Sequence, residues 1–228
     1  MKNYLIRTKK NLKNYFSTRH KAKNSPGLLR RDSEAGKLIE KLIVEESLTK
    51  ILEIGTWNGL GSTSTLIETL NENFENYNLI SIESDKAFYK QANKNLSGVL
   101  NENIQLLLGR IIELEDLPSP EDIDFKAVGL IPENIEWLIQ DIRRYKKIKN
   151  ISSNLPDYFD FILFDGGEFS NFQEFMKLYN KTKFLGLDDT NTYKQYNVLK
   201  FIEKNEKSFE LIYQLPSFAI FKVLNSNN

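Results

Sequence analysis

Carboxylates, glycines and a single lysine gather where apolar strands give way to turns, and their spacing suggests two adjoining binding functions. In KILEIGTWNGLGSTSTLIETL, Lys50 to Leu70, Ile51, Leu52 and Ile54 read as a buried strand. Glu53 stands two positions before Gly55, Gly59 and Gly61 complete a tight turn, and Ser62 opens an amphipathic helix. Glycine lets backbone approach a ligand closely, so this is a cradle for a nucleotide-type cofactor. The spacing E-x-G-x-x-x-G-x-G departs from the G-x-G-x-x-G of dinucleotide sites. Farther along, YFDFILFDGG ends a strand at Asp165, and KTKFLGLDDT ends another at Asp188 and Asp189. Adjacent strands lie about 4.8 Å apart, so these carboxylates can converge on one hard cation with oxygen ligands, Mg²⁺ being the natural candidate. The competing use is local: Asp165 opening a Gly-Gly turn, and Asp188 or Asp189 capping the next helix. Two adjacent carboxylates exceed what one cap requires.

The stretch from Glu53 through Gly61 resembles motif I of the class I S-adenosylmethionine-dependent methyltransferases, which place an acid two positions before the first glycine. About twenty residues on, NLISIESD reads as a second strand ending at Glu83, where a carboxylate can accept hydrogen bonds from ribose hydroxyls. Both features point to an adenosine ligand. The bland alternative is a glycine-rich turn that holds no ligand. The resemblance implies that S-adenosylmethionine is held by Glu53, Gly55, Thr56, Gly59, Gly61, Ser62, Glu83, Ser84, Arg110 and Asp165. FDGG and LDDT are similar to the metal-dependent O-methyltransferases of catechol and macrolide-sugar type, which carry an Asp after strand four and an Asp-Asp or Asp-Asn pair after strand five. That likeness implies metal ligation by Asp165, Asp188 and Asp189.

The chain departs from the catechol type at the expected base: the lysine three residues after the strand-four Asp is replaced by Glu168. Asp165, Glu168 and Lys194 are therefore the catalytic candidates, Glu168 and Lys194 also reading as ordinary surface residues. Arg110, after the third strand, can stack on the adenine ring or reach a carboxylate. The one histidine, His20, lies in a basic segment and reads as a surface residue.

The elements that must position these residues alternate strand and helix, which predicts an α/β fold: a doubly wound, Rossmann-like seven-stranded sheet with helices on both faces. DSEAGKLIEKLIVEES reads as a helix capped by Asp32 or Ser33, KAFYKQANKNL as another, and NIQLLLG as the third strand. A helix begins near Asn171, and YKQYNVLKFIEK forms the last one. FELIYQL and SFAIFKV, separated by a Pro-Ser turn, form a C-terminal antiparallel hairpin. The resemblance implies that the last strand inserts between its neighbours, and it covers about Gly27 to Val223. A long connection from about 113 to 156 contains Pro118, Pro120, Pro132 and a helix, PENIEWLIQDIRRYKKI; it reads as an insertion able to cap a substrate pocket. Its Trp137, Leu138 and Ile142 read as a core-facing stripe.

At 228 residues the chain suits one domain (27–228) behind a basic arm (1–26). The net charge of zero conceals an asymmetry: Met1 to Arg31 holds ten Lys or Arg and no acid, leaving about −10 on the rest. Such an arm can bind RNA, an anionic surface or an acidic partner; Leu5, Leu12 and Phe16 also share a helical face suited to docking on the same subunit or a dimer mate. The absence of cysteine excludes disulfides and thiolate metal sites and fits a cytoplasmic protein. No apolar run is long enough for a membrane span or a secretory signal.

The reading favoured by these residues is an S-adenosylmethionine-dependent O-methyltransferase, Mg²⁺-assisted, acting on a small polyhydroxylated acceptor such as a sugar of a glycan or natural product, with a homodimer plausible by analogy. The alternatives are an RNA methyltransferase that uses the basic arm, and a non-catalytic Rossmann-like assembly module. No N/D-P-P-Y/F motif is present, which weakens methylation of base amino groups.

Overall fold

A computed structural model describes residues 29–123, 130 and 132–224. The basic arm, with His20, Leu5, Leu12 and Phe16, lies outside the described residues. Among the described residues seven strands form one sheet: β1 Lys50–Ile54, β2 Asn78–Glu83, β3 Ile104–Leu108, β4 Phe159–Phe164, β5 Thr182–Asp188, β6 Phe209–Leu215 and β7 Phe218–Val223. Their order is β3-β2-β1-β4-β5-β7-β6. The first five pair in parallel, and β7 runs antiparallel between β5 and β6. This is the expected doubly wound sheet, including the inserted last strand.

Among the described residues six α-helices flank it: α1 Glu34–Glu45, α2 Ser62–Asn73, α3 Lys86–Leu96, α4 Pro132–Tyr145, α5 Asn171–Leu178 and α6 Tyr193–Lys204. Side chains alternate across a strand, so β1 sends Ile51 to one face and Leu52 and Ile54 to the other. On the first face Ile39, Ile43, Leu66, Leu70 and Leu96 of α1 to α3 pack with Ile51. On the second, Tyr145, Phe175, Val198 and Ile202 of α4 to α6 pack with Leu52 and Ile54. Two-sided burial explains why the central strands read as continuous apolar runs.

Caps set the helix starts. Of the two cap candidates for α1 it is Ser33, whose hydroxyl accepts from the Gly36 N–H at 3.0 Å. Asp85 caps α3 by accepting from Ala87 and Phe88, and Thr192 caps α6 by accepting from Lys194.

Within the long connection, the helix ends at Tyr145 rather than continuing through Ile148. Leu138 is fully buried and Ile142 packs partly, as expected of positions four apart. Trp137, 44% exposed, is not core. It sits one residue, about 100°, around the helix from Leu138 and falls off the buried stripe. Among the described residues no helix is long and apolar enough to cross a membrane.

Candidate active site

The parallel strands end on one side of the sheet, and their C-terminal residues wall a cleft that opens to solvent. Gly55, Glu83, Ser84, Arg110, Asp165, Asp188 and Asp189, all singled out from sequence, line it. A doubly wound sheet places ligands there, beside β1 and β4 where the strand order reverses.

The glycine turn is built against this crevice. Gly55 has φ +103° and Gly59 φ +81°, with Trp57 also left-handed at +49°. The Gly55 N–H donates to the Ile82 carbonyl at 2.9 Å, and a Cβ on Gly55 would meet the Asp165 carbonyl oxygen at 2.1 Å. The first motif glycine is therefore required twice, by its φ and by the passage of β4 beside it. Gly59 backs onto Leu96 instead, and Gly61 is the N-cap residue of α2. Thr56 and Ser62 are buried behind the turn, so neither wall of the cleft includes them.

Glu53 lies fully buried beneath the turn. Its Oε2 accepts from the Thr63 hydroxyl at 2.7 Å and from the Ser81 hydroxyl, which Thr56 in turn contacts at 2.5 Å. Its Oε1 has no hydrogen-bond partner among the described residues. Burial, against the opposing effect of these hydroxyls, pushes the carboxyl up to about 7. Glu83 accepts from the Trp57 N–H at 2.7 Å and the Asp85 N–H at 2.6 Å, and burial raises it likewise to about 7. A glycine turn over one buried acid, with a second acid at the next strand end lining the cleft, fits a ligand that brings positive charge and hydroxyls.

Across the cleft, Asp165 follows β4, Asp188 ends β5, and Asp189 follows it with φ +57°. Each offers one oxygen within 4.8 Å of the others. The Lys194 ammonium is seated among them, 2.8 Å from Asp165 Oδ1 and 2.6 Å from Asp189 Oδ2. Burial alone would pull Lys194 down; the charges of Asp165, Asp189 and Asp188 reverse that and hold it above its usual range. Burial and the Asp165 charge push Asp188 up to about 8, against Lys194.

Two buried amides hold this half together. Gln195 Nε2 donates to the carbonyls of Phe164, at 3.1 Å, and Asp188, at 2.9 Å, tying the ends of β4 and β5. Asn171 Nδ2 donates to Gln195 Oε1 at 2.8 Å and to the Lys194 carbonyl at 3.1 Å. The structure thus brings Asp165, Asp188, Asp189 and Lys194 together. Glu168 faces a neighbouring hollow lined by Phe169, Tyr193 and Asn197 and is raised mainly by burial. Arg110 lines the cleft, and its Nη1 donates to the Ile112 carbonyl and to Glu113 at 2.9 Å.

Sequence reasoning missed Trp57, Phe88, Tyr145 and Glu174 in the cleft wall. Trp57 carried a signal, being an aromatic inside the glycine turn; its ring lies 6.0 Å from that of Phe88. Tyr145 and Glu174 meet only through the fold, the Tyr145 hydroxyl donating to Glu174 Oε1 at 2.9 Å. Burial raises Glu174 to about 7. Arg144 and Tyr145 also put the end of α4 at the cleft.

No protein-family model matches the chain, and no curated protein matches it. Among solved structures it is similar to an O-methyltransferase from Bacillus cereus in complex with S-adenosylhomocysteine. Identity is 16%, with a TM-score of 0.54 over 83% of this chain and 80% of that one. It is also similar to the O-methyltransferase TomG from Streptomyces achromogenes, involved in tomaymycin synthesis and solved with S-adenosylmethionine: 17% identity, TM-score 0.54, 86% and 82% covered. The O-methyltransferase NovP gives 14%, 0.54, and 84% and 79%. At these identities the likeness establishes the fold alone, a Rossmann-like seven-stranded α/β sheet.

Proposed function

We propose that the chain is an S-adenosylmethionine-dependent O-methyltransferase acting on a hydroxyl of a small polyhydroxylated acceptor, such as a sugar of a glycan or natural product, with Mg²⁺ assistance. The observation that carries this reading is the division of the cleft: Gly55 and Glu83 in its wall on the β1–β2 side, above the buried Glu53, and a convergent acid triad on the β4–β5 side. The fold shared with solved O-methyltransferases supports it.

On the donor side, Gly55, Gly59 and Gly61 shape the cradle with Thr56 and Ser62 packed behind, and Glu53 supplies negative charge beneath it. Glu83 and Ser84 present acceptors for ribose hydroxyls, Arg110 walls the outer end, and Asp165 joins the two halves. The donor's chemistry is an in-line displacement that discharges a sulfonium, so alignment and acceptor deprotonation are what the protein must supply. Asp165, Asp188 and Asp189 form an all-oxygen donor set that suits Mg²⁺. The chemistry that ion supplies when bound is charge, lowering an acceptor hydroxyl's pKa and neutralising developing alkoxide. Lys194 touches two of the three acids and their charges hold it protonated, so its part is to orient groups at the triad rather than to take the acceptor's proton.

The proposal includes a cytoplasmic catalytic domain over 27–228, with residues 113–156 helping to enclose the acceptor, and a homodimer. Calorimetric titration of the full chain with S-adenosylhomocysteine tests the donor half. Micromolar binding is expected, weakened at least ten-fold by Glu83→Ala; heat of binding absent in a folded wild type would refute the assignment.

A further inference from the structure

Among the described residues Lys194 is the one buried lysine, 8% exposed, and its charge sits where the three acids converge. A buried ammonium is costly unless paired, so this placement is specified by the surrounding carboxylates. Its backbone is fixed: the Thr192 cap accepts from the Lys194 N–H at 3.3 Å, and the Asn171 amide bonds its carbonyl at 3.1 Å. Only the side chain is free to change seats.

Mg²⁺ binds oxygen at about 2.0–2.1 Å. The ammonium now holds Asp165 Oδ1 and Asp189 Oδ2 at 2.8 and 2.6 Å, so an ion ligated by those atoms competes with it for the same two oxygens. Like charges gathered on shared acceptors also repel, so ion and ammonium disfavour each other. The displaced side chain has a second carboxylate within electrostatic range: Glu168 interacts with Lys194 through its charge and its backbone N–H, and both line the adjoining hollow.

We propose that Lys194 is an internal competitor for the cation position of the triad, seated on Asp165 and Asp189 when no divalent ion is bound and turned toward Glu168 when one is. The proposal rests on the metal-binding reading of the triad. It assigns Lys194 a positioning role: the lysine keeps three like charges assembled in the metal-free protein and lowers the site's divalent affinity, so that metal loading is reversible.

The test is titration of the full chain with Mn²⁺ alone at fixed ionic strength, by calorimetry with free Mn²⁺ counted by electron paramagnetic resonance, for wild type, Lys194→Gln and Lys194→Arg. Lys194→Gln is expected to bind Mn²⁺ at least ten-fold more tightly than wild type, and Lys194→Arg, which keeps the charge, within about three-fold of it. In EDTA the Gln variant melts below wild type, and Mn²⁺ raises its Tm by the larger increment. Should it be unfolded in EDTA, refolding by Mn²⁺ at concentrations below the wild-type Kd supports the proposal, and failure to refold at any dose overturns it. Equal affinities for wild type and Gln variant overturn the competition while leaving the metal site standing. An Arg variant as tight as the Gln variant overturns it too. No Mn²⁺ binding by either wild type or Gln variant overturns both the competition and the metal reading, leaving the donor half to S-adenosylhomocysteine titration.

Discussion

The two sides of the cleft bury acids in different ways. Beneath the glycine turn Glu53 is met by hydroxyls, with one oxygen orphaned, and its carboxyl rises to about 7. On the β4–β5 side the triad already holds an ammonium from its own chain. A neutral surround leaves a carboxylate waiting for positive charge from outside; an internal lysine supplies it in advance. Under the proposed function, the donor side is completed by a cationic ligand and the acceptor side rearranged by one.

The deepest way to break the comparison is to disturb the point where the two sides touch. Gly55→Ala places a Cβ 2.1 Å from the Asp165 carbonyl oxygen at a φ of +103°. Neither β1 nor β4 can yield alone, since the Asp165 N–H also donates to the Ile54 carbonyl at 2.9 Å. The expected cost is at least about 4 kcal/mol in urea unfolding, the range reserved for named structural lesions, with S-adenosylhomocysteine affinity falling about 100-fold. A loss of donor binding with the triad and stability untouched would mean that the halves are independent.

The second prediction sharpens the difference through pH. Glu53, Glu83 and Glu174 each have a folded pKa near 7, above the ordinary carboxylate value of 4.5. The native chain keeps protons that the unfolded chain releases between pH 4.5 and 7. Stability therefore falls as pH rises through that window and stays lost above it, on the order of 3 kcal/mol per group as an upper bound. The carboxyls held low by arginine or lysine partners, such as Glu40 and Glu46, are mostly exposed and act below about pH 4.5, outside the window. Urea unfolding of the ligand-free chain should give lower stability at pH 8 than at pH 5.5, and Glu53→Gln should flatten the curve. Asp188 of the triad, pushed up to about 8, adds to the same fall, so the contrast between the two sides is read from the variant: a Glu53→Gln curve as steep as wild type would remove it.

How much of this was legible in the sequence follows from the range of each interaction. Strands, helices and the terminal hairpin are local patterns, and they stood in the sequence nearly to the residue. The acids at strand ends were legible because a parallel sheet brings such ends together whatever the intervening chain. Trp137 was misjudged because periodicity locates a helical stripe only to within one position at its edge. Gln195, Asn171 and Tyr145 were invisible because these bonds span 23 to 31 residues and depend on how α4, α5 and α6 pack. Lys194 was found as a candidate base, but its seat among the acids is a tertiary fact. The basic arm lies outside the described residues, so its expectations stand as expectations.

A third prediction concerns the amides that brace the acceptor side. Gln195→Leu preserves volume but leaves the carbonyls of Phe164 and Asp188 without their donor. The expected loss is about 2 kcal/mol in urea unfolding, the usual range for stranded buried polar groups. Because the amide ties the ends of β4 and β5, Mn²⁺ affinity should fall about ten-fold while S-adenosylhomocysteine affinity changes less than three-fold. Equal losses of both would mean that the clamp serves the whole cleft.

The smallest effect is expected at Arg110. Its guanidinium bonds the Ile112 carbonyl and the exposed Glu113 carboxylate, so its charge is spent on the loop that follows β3. An ion pair with one exposed partner contributes about 0–1 kcal/mol. Arg110→Ala should therefore lower stability by no more than about 1 kcal/mol and leave S-adenosylhomocysteine affinity within three-fold of wild type by calorimetry. A ten-fold loss of affinity at unchanged stability would mean that the guanidinium leaves Glu113 to meet the donor. The donor side would then also supply a mobile cation, and the distinction between its waiting acids and the pre-balanced triad would narrow to Glu53 alone.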